Sequence, residues 1–203
     1  MAFAKAYAYL SAMMRTRLFL LGVMVTAIAS ATAVTGVEAK KKEPPPPPPA
    51  QQPSEGAHTL GTASGWTAYM SKDKTGRVCY VYGQPQKSEP AGAKRKSPMM
   101  MVTHRPDEKI ANVVSVIEGY PLKEGSDVQL DVGGSKFDLF AKEDSAWART
   151  SDLDKTIVTA LGRAKQAVAK GSPQKGPGTT DVYVLGGFAQ ALAMIDKACG
   201  VKR

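Results

Sequence analysis

Residues 64–149 contain short apolar runs, many of which alternate with polar positions and are separated by turn residues. Alternation with a period of two predicts β-strands, because successive side chains of a strand point to opposite faces of the sheet. Gly133 and Gly134 separate two such runs and are typical of a type I′ or II′ hairpin turn. A polar turn at 71–76 predicts another hairpin. The strand-like runs are 64–70, 77–83, 99–105, 112–119, 126–132, 136–142, 146–150, 166–170 and 179–185.

Two segments have helical spacing instead. In residues 151–165 the apolar positions recur every three or four residues, and Ser151 or Asp152 can cap the start of the helix. In residues 187–199 the stripe predicted to face the core consists of Phe188, Leu192, Ile195 and Cys199. We therefore predict a mainly β (α+β) fold, with about eight short strands in an antiparallel β-sandwich or barrel-like domain and two packing helices.

The N-terminus has the order of regions that defines an export signal. Basic residues precede an apolar run at 18–29, and small residues follow it. We predict a signal peptide over residues 1–39, cleaved after Ala39 or alternatively after Ala33. Because residues 18–37 carry no charge, the other possibility is an uncleaved membrane-spanning helix, which needs about 20 apolar residues. The predicted location is the periplasm or cell envelope, or secretion from the cell.

A Lys- and Pro-rich linker is predicted at residues 40–58, and the folded domain at residues 59–203. The linker contains six consecutive prolines at 44–49, whose fixed φ predicts a polyproline II rod about 19 Å long. We expect this rod to act as a stiff stalk that holds the domain away from a surface. The alternative is that it docks into an aromatic groove.

The chain contains two cysteines, Cys79 and Cys199. Cys79 lies in the middle of a strand, on the face opposite Val78 and Tyr80, and Cys199 lies on the core-facing stripe of the last helix. Both are predicted to point inward in an exported protein, which favours one disulfide that joins the last helix to the first hairpin. Two buried free thiols are the alternative.

Basic residues outnumber acidic ones by 27 to 18, a formal net charge of +9. Such a balance favours contact with anionic groups but does not indicate a fold. The best candidate contact surface for anionic groups is the loop after the first hairpin, which contains Lys87, Lys94, Arg95 and Lys96. We predict that these four residues contact an anionic partner. The alternative is a loop that only keeps the protein soluble.

His104 is the single histidine of residues 59–203 and the one candidate general base. No nucleotide-binding, esterase, zincin or thioredoxin motif accompanies it, so we predict no catalytic residue, no cofactor site and no metal site. A periplasmic ligand-binding or hydrolytic module with a pocket around His104 remains the alternative function. Strand aromatics such as Tyr69, Tyr80 and Tyr82 could stack on a ligand, but alternation places most aromatic side chains in the core.

Several motifs occur in a characteristic order: GYPLKEGS at 119–126, the strand KFDLF, the pair Ala146 and Trp147, and TTD-x-Y-x-L-x-GF before the helix that ends in Cys199. Over residues 64–200 the chain resembles the invasion-associated locus B family of exported proteins from Gram-negative bacteria. The resemblance implies a cell-envelope protein, associated in some pathogens with entry into host cells, and without a catalytic motif. We expect a non-enzymatic protein that mediates envelope or host-surface interactions. Its expected partner is a protein or an anionic envelope component, nucleic acid is not expected, and membrane contact is expected only through an uncleaved N-terminal segment.

Overall fold

The structure, a computed structural model, describes residues 56–203. The predicted cleavage sites, the proline run at 44–49 and the possible spanning segment at 18–37 lie outside the described residues. None of the helices formed by residues 56–203 is long and apolar enough to cross a membrane.

Eleven antiparallel strands form one sheet, in the order β1-β2-β3-β5-β6-β9-β8-β7-β10-β11-β4. The strands are β1 His58–Ala63, β2 Trp66–Asp73, β3 Gly76–Gly83, β4 Lys87–Glu89, β5 Met99–Arg105, β6 Ile110–Ile117, β7 Asp127–Val132, β8 Ser135–Lys142, β9 Ser145–Trp147, β10 Gln166–Gly171 and β11 Thr179–Val184. The helices are α1 Ser151–Leu161 and α2 Phe188–Cys199, and a short 3₁₀ turn spans Pro106–Glu108. The predicted mainly β fold with two helices is confirmed.

The sheet is open but strongly curled. Only residues 84–86 connect β3 to β4, although these strands are third and last in the sheet order. The Trp66 indole Nε1 on β2 also donates a hydrogen bond of 2.9 Å to the Val184 carbonyl on β11. The two ends of the sheet therefore approach each other, so the arrangement is barrel-like and not a pair of separate hydrogen-bonded sheets.

Two strands, β1 and β4, were not among the predicted runs. β4 consists of the polar residues Lys87, Ser88 and Glu89, which have no strand pattern of their own. It forms because it pairs with β11, where Val182 lies opposite Lys87 and Thr180 lies opposite Glu89. A pairing between residues so distant in the chain leaves no local signal in the sequence.

Both helices differ in detail from the predicted ones. Thr150, rather than Ser151 or Asp152, is the N-cap of α1, and its hydroxyl accepts a hydrogen bond from the Leu153 N–H at 3.2 Å. The helix ends at Leu161, four residues before the predicted end. Gly187 caps α2 with a φ of +88°, and a Cβ there would lie 2.3 Å from the Ala63 carbonyl oxygen, so this position requires glycine.

The sheet has two apolar faces of unequal size. The main core lies on the face that both helices cover, with α2 against β1, β2, β3 and β5 and α1 against β6 and β7. The opposite face carries a smaller cluster, which we call the outer-face cluster. It consists of Tyr69, Val78, Tyr80, Tyr82, Met99, Met101 and Ile117.

Candidate interaction surface

The predicted disulfide is present between Cys79 on β3 and Cys199 at the end of α2. The two Cα atoms are 6.1 Å apart, and the bond joins positions separated by 120 residues. It ties the last helix to the sheet, as the inward orientation of both residues predicted. In residues 56–203 no cysteine remains free.

His104 lies next to this disulfide, because it is the register partner of Cys79 on the neighbouring strand. It is fully buried. Its Nδ1 accepts a hydrogen bond from the Asn112 N–H at 3.0 Å, and its Nε2 lies 2.9 Å from Asp196 Oδ1. Since Nδ1 acts as an acceptor, the ring proton sits on Nε2 and is donated to Asp196. Both ring nitrogens are therefore engaged within the fold.

Asp196 connects this histidine to the C-terminus. Arg203 donates to Asp196 and also to the Asn112 side-chain oxygen, the latter at 2.9 Å. Burial acts to raise the pKa of Asp196, but the hydrogen bonds from His104 and Arg203 outweigh it, so the pKa is lowered. This network and the disulfide hold the same end of α2. The role of His104 is therefore to fix that helix on the sheet.

His104 has no solvent-accessible surface. A cleft of about 600 Å³ lies between α1 and the β7–β8 hairpin, and another of about 720 Å³ lies between residues 123–124 and 172–178. Neither cleft is lined by His104. Across residues 56–203, no three His, Cys, Asp or Glu side chains are close enough to hold a metal ion.

The predicted basic loop divides into exposed and buried cations. Lys87, Lys94 and Lys96 are exposed. Lys87 Nζ lies 2.6 Å from Glu89 Oε1, so much of its charge is balanced at the surface. Lys94 and Lys96 have no such acidic neighbour among the ion pairs of the described residues.

The structure differs from the prediction that Arg95 contacts an anionic partner. Its side chain is only 4% exposed, so it does not present its charge to an external partner. The guanidinium makes a two-pronged contact with Asp181, in which Nη1 lies 2.8 Å from Oδ2 and Nη2 bonds Oδ1. Nη1 also lies 3.2 Å from Glu118 Oε2. The hydrogen bond with Asp181 raises the pKa of Arg95 further, so the group stays charged.

Asp181 and Glu118 are fully buried, so one cation faces two carboxylates inside the protein. We call Arg95, Glu118 and Asp181 the Arg95 cluster. Burial, and then the charge of Asp181, raise the pKa of Glu118. The Tyr120 hydroxyl donates to Glu118 Oε2 at 3.0 Å, and the Ser88 hydroxyl donates to Asp181 Oδ1 at 2.6 Å. Arg95 and Asp181 form the two-pronged ion pair of the cluster, and Glu118 is the second acceptor of the guanidinium.

The backbone beside Arg95 is also held firmly. The Lys96 N–H donates to the Gly119 carbonyl at 2.9 Å. Gly119 has a φ of +76°, and a Cβ at this position would lie 2.2 Å from the Lys96 carbonyl oxygen. The glycine of the GYPLKEGS motif thus permits the close approach of the loop, which fixes where Lys94 and Lys96 emerge.

Sequence reasoning missed both carboxylates of the Arg95 cluster. The sequence did contain a signal for Asp181, because it alternates with Thr179 and Tyr183. All three side chains occupy the inward positions of β11. Glu118 follows directly after β6 and lacks such an alternation signal of its own. An acid at an inward strand position requires a buried cation or a proton, and this requirement could have pointed to Arg95.

Comparisons with known proteins agree with this architecture. The crystal structure of invasion associated protein B from Bartonella henselae superposes with a TM-score of 0.51 and 19% sequence identity, and covers 70% of this chain and 96% of its own. At this identity the likeness shows the fold alone. No curated protein sequence matches the chain. The family model described as invasion associated locus B (IalB) protein matches residues 66–196, and the chain therefore belongs to the invasion associated locus B family.

Proposed function

We propose that this protein is an exported, non-enzymatic protein of the cell envelope that binds an anionic partner through Lys94 and Lys96. The observation that carries the proposal is that side chains in this loop are exposed, buried and exposed in turn. The buried Arg95 anchors the backbone, and the flanking Lys94 and Lys96 remain exposed. A loop that is anchored in this way presents its charges at a fixed spacing. Less conformational entropy is then lost on binding than with a mobile basic loop.

The charge distribution supports an anionic partner. Arg95 is balanced by Asp181, and Lys87 is balanced by Glu89, so Lys94 and Lys96 supply the net positive charge of the loop. After removal of residues 1–39 the chain retains 24 basic and 17 acidic residues, a formal charge of +7, which adds a long-range attraction to anionic surfaces. A protein or an anionic component of the envelope, or of a host surface, is the expected partner.

The disulfide supports an export destination. Disulfides persist in the periplasm and outside the cell and are rare in the reducing cytoplasm. The bond between Cys79 and Cys199, together with the predicted signal peptide, therefore supports the periplasm, the envelope or the medium as the working location. No catalytic step is part of the proposal, and the burial of His104 supports its omission.

Vesicle binding tests the role of the two lysines. Each cation close to an anionic bilayer contributes about 1 kcal/mol, so reversing the charge of Lys94 and Lys96 together should weaken binding to anionic phospholipid vesicles by at least roughly 30-fold. Lys136→Glu/Lys142→Glu is the matched control, because it reverses the same number of charges at exposed lysines of β8, away from the loop. Binding of the parent protein should weaken at high salt and be absent with neutral vesicles. Equal affinities of the double variant and the control would contradict the proposal.

Co-purification addresses a protein partner. The exported protein and its Lys94→Glu/Lys96→Glu variant are each captured from isolated envelopes, and the bound proteins are compared by mass spectrometry. We expect at least one acidic envelope protein to be retained by the parent and by Lys136→Glu/Lys142→Glu but lost with Lys94→Glu/Lys96→Glu. If neither vesicles nor envelope proteins distinguish the variants, the loop serves only solubility.

A further inference from the structure

The cleft between α1 and the β7–β8 hairpin lies where the main core ends. On β8 the side chains that face the core are Ser135, Phe137 and Leu139, because alternate residues of a strand share a face. Leu139 is fully buried, whereas Phe137 is only half-buried. The core-facing side of the hairpin therefore extends beyond the part that α1 covers, and Phe137 gives the cleft an apolar floor beside the helix.

Small side chains on the helix keep the cleft open. Thr156, Ala160 and Ala164 are spaced by four residues, which places them one above another along the helix wall. The turn after α1 keeps this spacing, since the Ala164 N–H donates to the Ala160 carbonyl at 3.0 Å. A Cβ at Gly133 would lie 3.1 Å from the Ala164 Cβ, so the hairpin tip meets the helix at this end of the cleft. The wall from Ala164 back to Thr156 is about 12 Å long.

The rim of the cleft is positively charged. Lys155, Thr159 and Arg163 form a second row along the helix, and all three are exposed. Every charged residue that lines the cleft is a cation. Lys155 Nζ lies 3.4 Å from Asp152 Oδ1, but these side chains are 64% and 90% exposed, so solvent screens the pair. Arg163 forms no ion pair among those of the described residues, and its charge is therefore free for a ligand.

The two threonine hydroxyls of the cleft are already used as donors. Thr156 donates to the Asp152 carbonyl and Thr159 donates to the Lys155 carbonyl, each at 2.8 Å. Apart from Ser135 on the hairpin, the donors left for a ligand are therefore the two cations. This set favours an anionic group over a neutral polar one such as a sugar.

The size and lining of the cleft indicate a small molecule. Its volume of about 600 Å³ lies within the range of roughly 300–1,000 Å³ that is usual for such sites. The other cleft, of about 720 Å³, is lined by Lys123, Glu124 and turn residues of 172–178, and it has no aromatic floor. An apolar floor together with a cationic rim is therefore found at the α1 cleft alone of these two.

We propose that this cleft binds a small monocarboxylate with an apolar body, which lies on Phe137 and Ala160 while the carboxylate pairs with Arg163. The planar guanidinium of arginine matches a carboxylate with two parallel hydrogen bonds. Lys155, at the other end of the same row, adds a second positive charge. The site shares no residue with the basic loop and does not depend on the function proposed for Lys94 and Lys96.

Calorimetric titration of the exported protein with octanoate tests the ligand class. We expect saturable binding of one octanoate per chain. Octanol has the apolar body without the charge, and acetate has the charge without the body, so each should bind at least about tenfold more weakly. Octanol that binds as tightly as octanoate would overturn the proposal, as would the absence of saturable octanoate binding.

Three variants locate the site. Arg163→Gln should bind octanoate at least about tenfold more weakly, because the charged hydrogen bonds are lost. Lys165→Gln is the matched control, since it removes one positive charge two positions away at an exposed residue that does not line the cleft, and it should bind like the parent. Ala160→Leu should also weaken binding at least about tenfold, because the larger side chain fills the cleft without changing the charge.

Melting curves show whether each variant is folded before its affinity is compared. Equal octanoate affinity in the parent and Arg163→Gln would overturn the assignment, even if Ala160→Leu fails to fold. Equal losses in Arg163→Gln and Lys165→Gln would also overturn it, because they would indicate a long-range effect of charge. The Lys94→Glu/Lys96→Glu variant should bind octanoate like the parent, and a matching loss there would place the ligand at the basic loop instead.

Discussion

Replacing Arg95 by methionine separates the buried cation of the basic loop from its exposed neighbours. Methionine retains much of the aliphatic volume but removes the partner of Asp181, which is fully buried. Removing one member of a buried ion pair typically costs 3–5 kcal/mol, because the remaining charge is left without compensation. We expect a loss of about 4 kcal/mol from the free energy of unfolding at pH 7.

Lys94→Met and Lys96→Met are the matched controls. Both lysines are exposed, and neither forms an ion pair among those of the described residues. Surface substitutions of this kind usually change stability by no more than about 0.5 kcal/mol. The three variants thus place methionine at three consecutive basic positions, and only the one at Arg95 is expected to lose stability.

Thermal and urea unfolding measure the difference. For a domain of this size, about 4 kcal/mol corresponds to a fall in melting temperature of roughly 8–16 °C. A loss no larger than that of Lys94→Met would refute the assignment of Arg95 as the buried ion-pair partner.

Three further predictions concern other parts of the chain. Cys199→Ser should lower the melting temperature without unfolding the β-sheet, since closing a loop of 120 residues stabilises by at most roughly 5 kcal/mol and the His104 network still holds α2. Thiol alkylation of the denatured, unreduced parent should add no mass. Two labels per chain would exclude the bond. Burial raises the pKa of Asp154 to about 7 from 3.8, so its stabilising contribution is complete below about pH 4 and is lost as the pH rises through 7. Asp154→Asn should therefore be more stable than the parent at pH 8, by at most about 4 kcal/mol. The exposed control Asp152→Asn should leave the free energy of unfolding unchanged. Equal unfolding curves for the two variants would contradict the reasoning. Intact-mass measurement of the exported protein should find a chain that starts at Lys40 or Val34, and a membrane-bound species that retains Met1 would favour the spanning helix.

The local pattern of the sequence was sufficient for nine of the eleven strands, for both helices and for the disulfide. Alternation identified the long strands, and the spacing of Phe188, Leu192, Ile195 and Cys199 identified α2 and its inward face. These features depend on the direction of each side chain relative to its own backbone, which the period of the pattern determines. The inward direction of Cys79 followed from the same rule.

Only the tertiary structure decided which strands pair at a distance and where the charges of the loop lie. β4 exists because β11 lies beside it, and Arg95 is buried because Asp181 and Glu118 converge on it from β11 and from the end of β6. In the sequence, Lys94, Arg95 and Lys96 form one basic cluster with no feature that separates them. The distinction arises because the free energy of burying a charge depends on partners 23 and 86 residues away along the chain, and folding alone brings those partners within hydrogen-bond distance.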